Sequence, residues 1–184
     1  MPSITILTGG VGPEREISLL TGKALLQSLK NFFDVSIKEL KDETLPNLKN
    51  LENTVVFPAI HGTFGEDGRL QEMLENIGLN YAGSDSDSSR LCMNKYESKR
   101  VVHSSGVPIA RDLKFNRPQK LDVNEVLGAI GPNAIIKPVD QGSSVGLHVI
   151  KGENELLSTL NKLEDGDWMI ETACAQGLFW FDLD

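Results

Sequence analysis

Apolar and polar positions alternate along the chain in two rhythms, and the change from one to the other marks out its elements. "SITILT", residues 3–8, is a continuous apolar run that predicts a short buried strand, and after it Ile17, Leu20, Ala24 and Leu25 recur at helical spacing. "FFDVSIKEL" alternates Phe33, Val35 and Ile37 as a half-buried strand, and "TVVFPAI", residues 54–60, reads as a central one. Leu70, Met73, Leu74 and Ile77 predict a second amphipathic helix closed by Gly78, before a brief strand around "LNYAG". Strands that alternate with helices in this way imply a doubly wound, mostly parallel sheet.

From Asp85 to His103 the pattern is helical in two pieces. Asn94 is placed to cap the second, and Gly106 followed by Pro108 ends it. The boundary between domains is accordingly set at 93/94, giving 1–93 and 94–184. Beyond it the rhythm differs. "IARDLKF" predicts a strand, Asp122 and Glu125 open a helix, and "NAIIKPV" and "LHVI" flank a glycine-serine loop as an antiparallel pair. Leu156, Leu157 and Leu160 mark a helix over 153–163, and "WMIE" closes as a strand. The expected fold class is α/β, an N-terminal parallel sheet followed by an α+β subdomain.

Composition narrows the chemistry. At 184 residues, 40% hydrophobic and 24% charged, the chain can bury a core, and its formal net charge of -8 opposes binding to a phosphate backbone. No run of about 18 apolar residues occurs, so a cytoplasmic protein without membrane or nucleic-acid partners is expected. Cys92 and Cys174 lie far apart and outside any CxxC pattern, and read as free thiols.

"TGGVGPEREIS", residues 8–18, invites a dinucleotide reading because a glycine-rich turn joins strand to helix. The fingerprint fails at Arg15, which stands where a third glycine should pack. Glu14 and Glu16 oppose it further: a carboxylate about 4 Å from a phosphate costs roughly 4 kcal/mol at intermediate dielectric, whereas the helix dipole returns about 1 kcal/mol. A Glu held there either decorates the helix start or receives a small ligand's ammonium group. A nucleotide-dependent oxidoreductase is disfavoured on the same grounds.

Three further stretches carry candidate chemistry. "HGTFGEDG", residues 61–68, sits at the carboxyl end of an apolar strand, where open α/β sheets bind ligands; His61 is a hydrogen-bonded structural histidine or a proton carrier, and Glu66 and Asp67 orient it or cap the next helix. "IIKPVDQGSSVG", residues 135–146, combines Lys137 with two hydroxyls between Gly142 and Gly146, suited to curling round phosphate oxygens, though it is no Walker loop. Lys137 needs an acid or a ligand phosphate as partner. "CMNKYESK" sets Lys95 and Lys99 one helical turn apart, either a solvated face or a second cation for a nucleotide. Glu171, at the end of "WMIE", is an ordinary surface acid or an acceptor for an adenine amino group or a ribose.

Taken in order, "GGVGPEREIS", "HGTFGEDGRLQ", "NKYESK", "GVPIA", "IIKPVDQGSSVG" and "WMIE" resemble the D-alanine:D-alanine ligases of the ATP-grasp family, over residues 3 to about 171. The resemblance implies that ATP phosphorylates the carboxylate of one D-alanine and that the amine of a second attacks the acyl phosphate, in peptidoglycan synthesis. It implies catalytic roles for Glu14, which holds the first ammonium, for Ser143, to which Glu14 is linked by a hydrogen bond, and for His61 near the reacting carboxylate. Lys95 and Lys137 match lysines on the ATP phosphates, and Gly142, Ser143, Ser144, Val145 and Gly146 match a flap that shields the acyl phosphate from water. Glu171 and the backbone of Ala173 and Cys174 match the hinge that binds adenine.

The pattern ends after Glu171. Leu178 stands where the family has the acid that binds ribose, and the half with the Mg2+ ligands does not follow, so no metal site is named and the expectation is a truncated ligase, inactive alone. The aromatics of "GLFWF" suggest a homodimer. The alternative is a noncatalytic module that binds ATP or D-alanine, or half of a split ligase.

Overall fold

The computed structural model describes residues 3–48 and 54–174. Leu178 and the "GLFWF" run, on which the ribose and homodimer expectations rest, lie outside the described residues. Contacts divide the chain into two units: Met1–Ser98 with Asp140–Ser143, and Lys99–Val139 with Ser144–Asp184.

In the first unit, β1 (Ser3–Gly9), β2 (Asp34–Leu40) and β3 (Thr54–Pro58) form a parallel sheet of order β2-β1-β3. The short "LNYAG" strand reduces to one parallel bridge between Val56 and Tyr81. Helix α1 (Arg15–Leu29) packs on β1 and β2, and α2 (Arg69–Asn76) contributes Leu70 and Leu74 to a core with Leu7, Leu40, Val56, Ile60 and Phe64. Gly78, at φ +69, follows α2 and donates to the Glu75 carbonyl, as its glycine suggests.

The buried face of α1 differs from the expected one. Ile17 and Leu20 are 53% and 61% exposed, while Ser18 and Gly22 are the buried residues of the helix. The cause is close approach: a β-carbon on Gly22 would stand 2.7 Å from Thr8 Oγ1, and the Thr8 hydroxyl donates to the Ser18 carbonyl at 2.5 Å. Small residues let α1 sit low on the sheet, and hydrophobic periodicity misses a contact made by glycine and serine.

Helices α3 (Ser86–Met93) and α4 (Lys95–Ser104) are the two expected pieces. Asp85 caps α3 through Ser88 N–H, and Asn94 Oδ1 accepts from Glu97 N–H at 3.0 Å.

In the second unit, β4 (Asp112–Arg117), β5 (Asn133–Pro138), β6 (His148–Lys151) and β7 (Gly166–Thr172) form an antiparallel sheet of order β4-β7-β5-β6. Helix α5 (Val123–Ile130) is capped by Asp122, which accepts from Asn124 and Glu125 N–H; α6 (Glu153–Leu160) follows β6. These helices cover one face of the sheet with Phe115, Val126, Ile130, Ile136, Leu156, Leu160 and Ile170. Leu157, expected on the buried stripe, is half exposed. Because side chains alternate across a strand, the opposite face presents Asp112, Glu171, Lys137, Ile135 and Val149.

Candidate functional site

In the first unit the turn after β1 is built for packing. Gly9 takes φ +89, where a β-carbon would meet the Leu40 carbonyl oxygen at 2.7 Å, and Gly10 N–H donates to that same oxygen at 2.8 Å. The amide that a phosphate would need is engaged. Arg15 pairs with Glu16 at 2.9 Å and with Glu39. Glu14 starts α1 without capping it, and its carboxylate instead lies against Gly62.

Gly62 joins Glu14 to the loop that follows β3. Its φ is +76, and a β-carbon there would stand 2.6 Å from Glu14 Oε2. The adjacent His61 is held from three sides. Its N–H donates to Ser18 Oγ at 2.8 Å, its Nε2 lies 2.9 Å from Thr21 Oγ1, and its Nδ1 lies 3.6 Å from Glu66 Oε1. Glu66 Oε2 also accepts from Gly62 N–H at 3.0 Å. Asp67 accepts from Phe64 and Arg69 N–H, which ties the turn to the start of α2, while the cap position itself is Gly68. Glu14, His61 and Glu66 therefore meet at the carboxyl ends of β1 and β3, where adjacent strands carry their helices to opposite faces.

The glycine-serine loop is split between local environments. Gly142 belongs with the first unit, where a β-carbon on it would lie 3.9 Å from Glu14 Oε2. Among the described residues no hydrogen bond joins Glu14 to Ser143. Lys95 donates to the Gln141 carbonyl, which ties the start of α4 to the same loop. Ser143 and Ser144 take φ of 48° and 60°, a left-handed backbone that costs about 1 kcal/mol or more per non-glycine residue. Such outliers concentrate where a loop has work beyond connection.

In the second unit the sheet face opposite α5 and α6 carries a charge cluster whose side chains are largely buried. Lys137 Nζ lies 2.5 Å from Glu171 Oε1, and Lys99 Nζ lies 2.8 Å from Glu171 Oε2 and 2.6 Å from Asp112 Oδ2. Arg100 makes two bonds to Asp112, whose side chain is 2% exposed. Burial works against the charge on Glu171, but the hydrogen bonds and positive charges of Lys137 and Lys99 outweigh it and hold the carboxyl below its usual range. Lys137 thus finds the acid partner that its place near the end of a buried strand demands. Beside this cluster is a cavity of about 320 Å³ lined by Asn133, Val149, Ile150, Lys151 and Ala173. Ala173 N–H donates to the Asn133 carbonyl at 3.0 Å, so what Ala173 can offer a base is its carbonyl. Cys174 is an exposed free thiol.

Three contributors, Ser18, Thr21 and Asp112, escaped sequence reasoning. Thr21 and Ser18 hold His61, and small polar residues in a helix give no functional signal. Asp112 and Lys99 complete the Glu171 cluster; Asp112 faces Glu171 only through the β4–β7 register, and that pairing cannot be read from one sequence. Among the described residues no group of three or more His, Cys, Asp or Glu side chains is arranged to hold a metal, and no helix is long and apolar enough to cross a membrane.

Comparison with known proteins places these features in context. Residues 35–84 match the family model described as D-ala D-ala ligase N-terminus. Over 168 residues the chain is 32% identical to the D-alanine–D-alanine ligase of Haemophilus ducreyi, covering 91% of this chain and 55% of that protein. It is 34% identical over 162 residues to that of Wolbachia pipientis subsp. Culex pipiens, covering 88% and 50%. The crystal structure of the Bacillus anthracis D-alanine–D-alanine ligase complexed with ATP aligns with a TM-score of 0.84 at 28% identity, over 95% of this chain and 59% of that one. The chain spans about half the length of the curated relatives it matches.

Proposed function

The chain is a relative of the D-alanine–D-alanine ligases along nine-tenths of its length, and from that premise we propose that it serves ATP-dependent joining of two D-alanine molecules for peptidoglycan synthesis in the cytoplasm. In this reading a carboxylate oxygen of the first D-alanine attacks the γ-phosphorus of ATP and ADP leaves. The amine of the second D-alanine then attacks the acyl carbon, phosphate leaves and the amine gives up a proton.

The observation that carries the reading is the meeting of Glu14, Gly62 and His61 at the carboxyl ends of two parallel strands. Glu14 receives the ammonium of the first D-alanine, and the Gly62 backbone leaves it room. His61, with Thr21 and Glu66 fixing its ring, faces the carboxylate that is to be phosphorylated. Lys137 moves from Glu171 to an ATP phosphate, and Lys95 supplies a second cation. Glu171 then accepts from the adenine or ribose, with the cavity between Val149 and Ala173 receiving the base. The loop from Gly142 to Gly146, with Ser143, Ser144 and Val145, closes over the phosphates, and its left-handed serines keep the closing turn tight. Magnesium would neutralise the triphosphate in such chemistry. The described acids form no cluster for it. Each relative reported above is named a ligase, which favours the catalytic reading over a noncatalytic binding module.

Calorimetric titration with ADP tests the nucleotide half. Lys137→Met should weaken ADP at least tenfold while the protein stays folded; unchanged affinity would remove Lys137 from the nucleotide site.

A further inference from the structure

A second cavity, of about 180 Å³, lies in the second unit between the end of β4, the loop 117–122 and the helices α5 and α6. Its polar lining is Arg117, Gln119, Lys120 and Asn161, and its apolar floor includes Phe115, Leu121, Leu157 and Leu160. Among the described residues no carboxylate lines it, in a chain whose formal net charge is -8. The chain has six arginines, and five have a partner: Arg15 with Glu16, Arg69 with Asp67, Arg90 with Glu72, Arg100 with Asp112, and Arg111 with the Ile130 carbonyl. Among the described residues the Arg117 side chain has none, and its Nε is buried without a hydrogen-bond acceptor. Nε is closed off from the cavity, so an anion bound there would meet the terminal nitrogens of the guanidinium, which have no carboxylate partner among the described residues.

We propose that this cavity binds a short aliphatic monocarboxylate. Arg117 supplies the planar donor pair that matches a carboxylate, and Lys120 adds a second positive charge. The apolar floor covers the hydrocarbon body. The volume, about six water-sized portions, limits the ligand to a few heavy atoms. An amino acid is excluded by chemistry, because an ammonium group here would meet two cations and no acid. The inference goes beyond the ligase reading and uses none of its residues.

Titration of the full chain with isobutyrate, followed by amide resonances, is the test. Saturable shifts should appear at Arg117 to Leu121 and Leu157 to Asn161. At these resonances inorganic phosphate, isobutyramide and D-alanine should bind at least tenfold more weakly than isobutyrate, since each lacks the apolar body, lacks the charge or adds an ammonium. Arg117→Gln should weaken isobutyrate tenfold or more. Leu157→Asp, at a half-exposed position that tolerates a polar side chain, should do the same by placing a negative charge on the rim, and it carries the test if the first variant does not fold. Shifts that never saturate, shifts indifferent to both substitutions, or equal binding of any of the three comparison compounds would overturn the proposal.

Discussion

Gly62 leaves the space that the Glu14 carboxylate fills: a β-carbon at residue 62 would stand 2.6 Å from Glu14 Oε2, on a backbone with φ +76. Gly62→Ala therefore meets two penalties, a left-handed alanine and a displaced carboxylate. Destabilisation of about 1–3 kcal/mol in urea unfolding is expected, together with at least a tenfold loss of D-alanine affinity. A variant that kept full D-alanine affinity would show that the Glu14 position is not set by this contact.

The low seating of α1 predicts an inversion of the usual mutational pattern. Gly22→Val should cost about 1–3 kcal/mol by forcing the helix off Thr8, whereas Leu20→Ala, at a position 61% exposed, should stay within about 0.5 kcal/mol. Thermal unfolding of the two variants distinguishes them. The opposite order would restore the face that hydrophobic spacing suggested.

Glu171 gives the fold a defined acid dependence. Its folded carboxyl is held below the ordinary range, so its contribution is full above the unfolded pKa of about 4.3 and is lost as pH falls through the lower folded value. Glu171→Gln should cost about 1–3 kcal/mol at pH 7, and the gap to the unaltered protein should narrow progressively below pH 4. Urea midpoints measured across that range check the sign. A gap that widened on acidification would mean that the two lysines do not stabilise the charge.

Much of this was legible in the sequence because the relevant signals are local. Strand runs, the caps Asn94 and Asp122, and the stop at Gly78 depend on neighbours within a few residues, and each appears in the structure. The places of Glu14 and His61 beyond strand ends were legible too, since each follows a strand of the parallel sheet. What escaped depends on register and on distance in the chain. The α1 face is decided by glycine and serine against Thr8, which no apolar period reports. The partner of Lys137 is an acid 34 residues away on a neighbouring strand, and Lys99 enters the same cluster across 72 residues. Arg117 gave no signal, because the partners of a guanidinium are set by the fold and not by its neighbours in the sequence.

The central claim is that Glu14, and not the glycine-rich turn beside it, receives the ammonium group of an amino acid. Amide resonances followed during a D-alanine titration test it most directly, on the unaltered chain and on Glu14→Gln. The account predicts saturable shifts at Glu14, His61 and Gly62 that Glu14→Gln abolishes, while ADP-induced shifts at Lys137 and Glu171 persist in both proteins. D-alanine shifts that survive the substitution, or ADP shifts centred on Gly9 to Gly12, would contradict it.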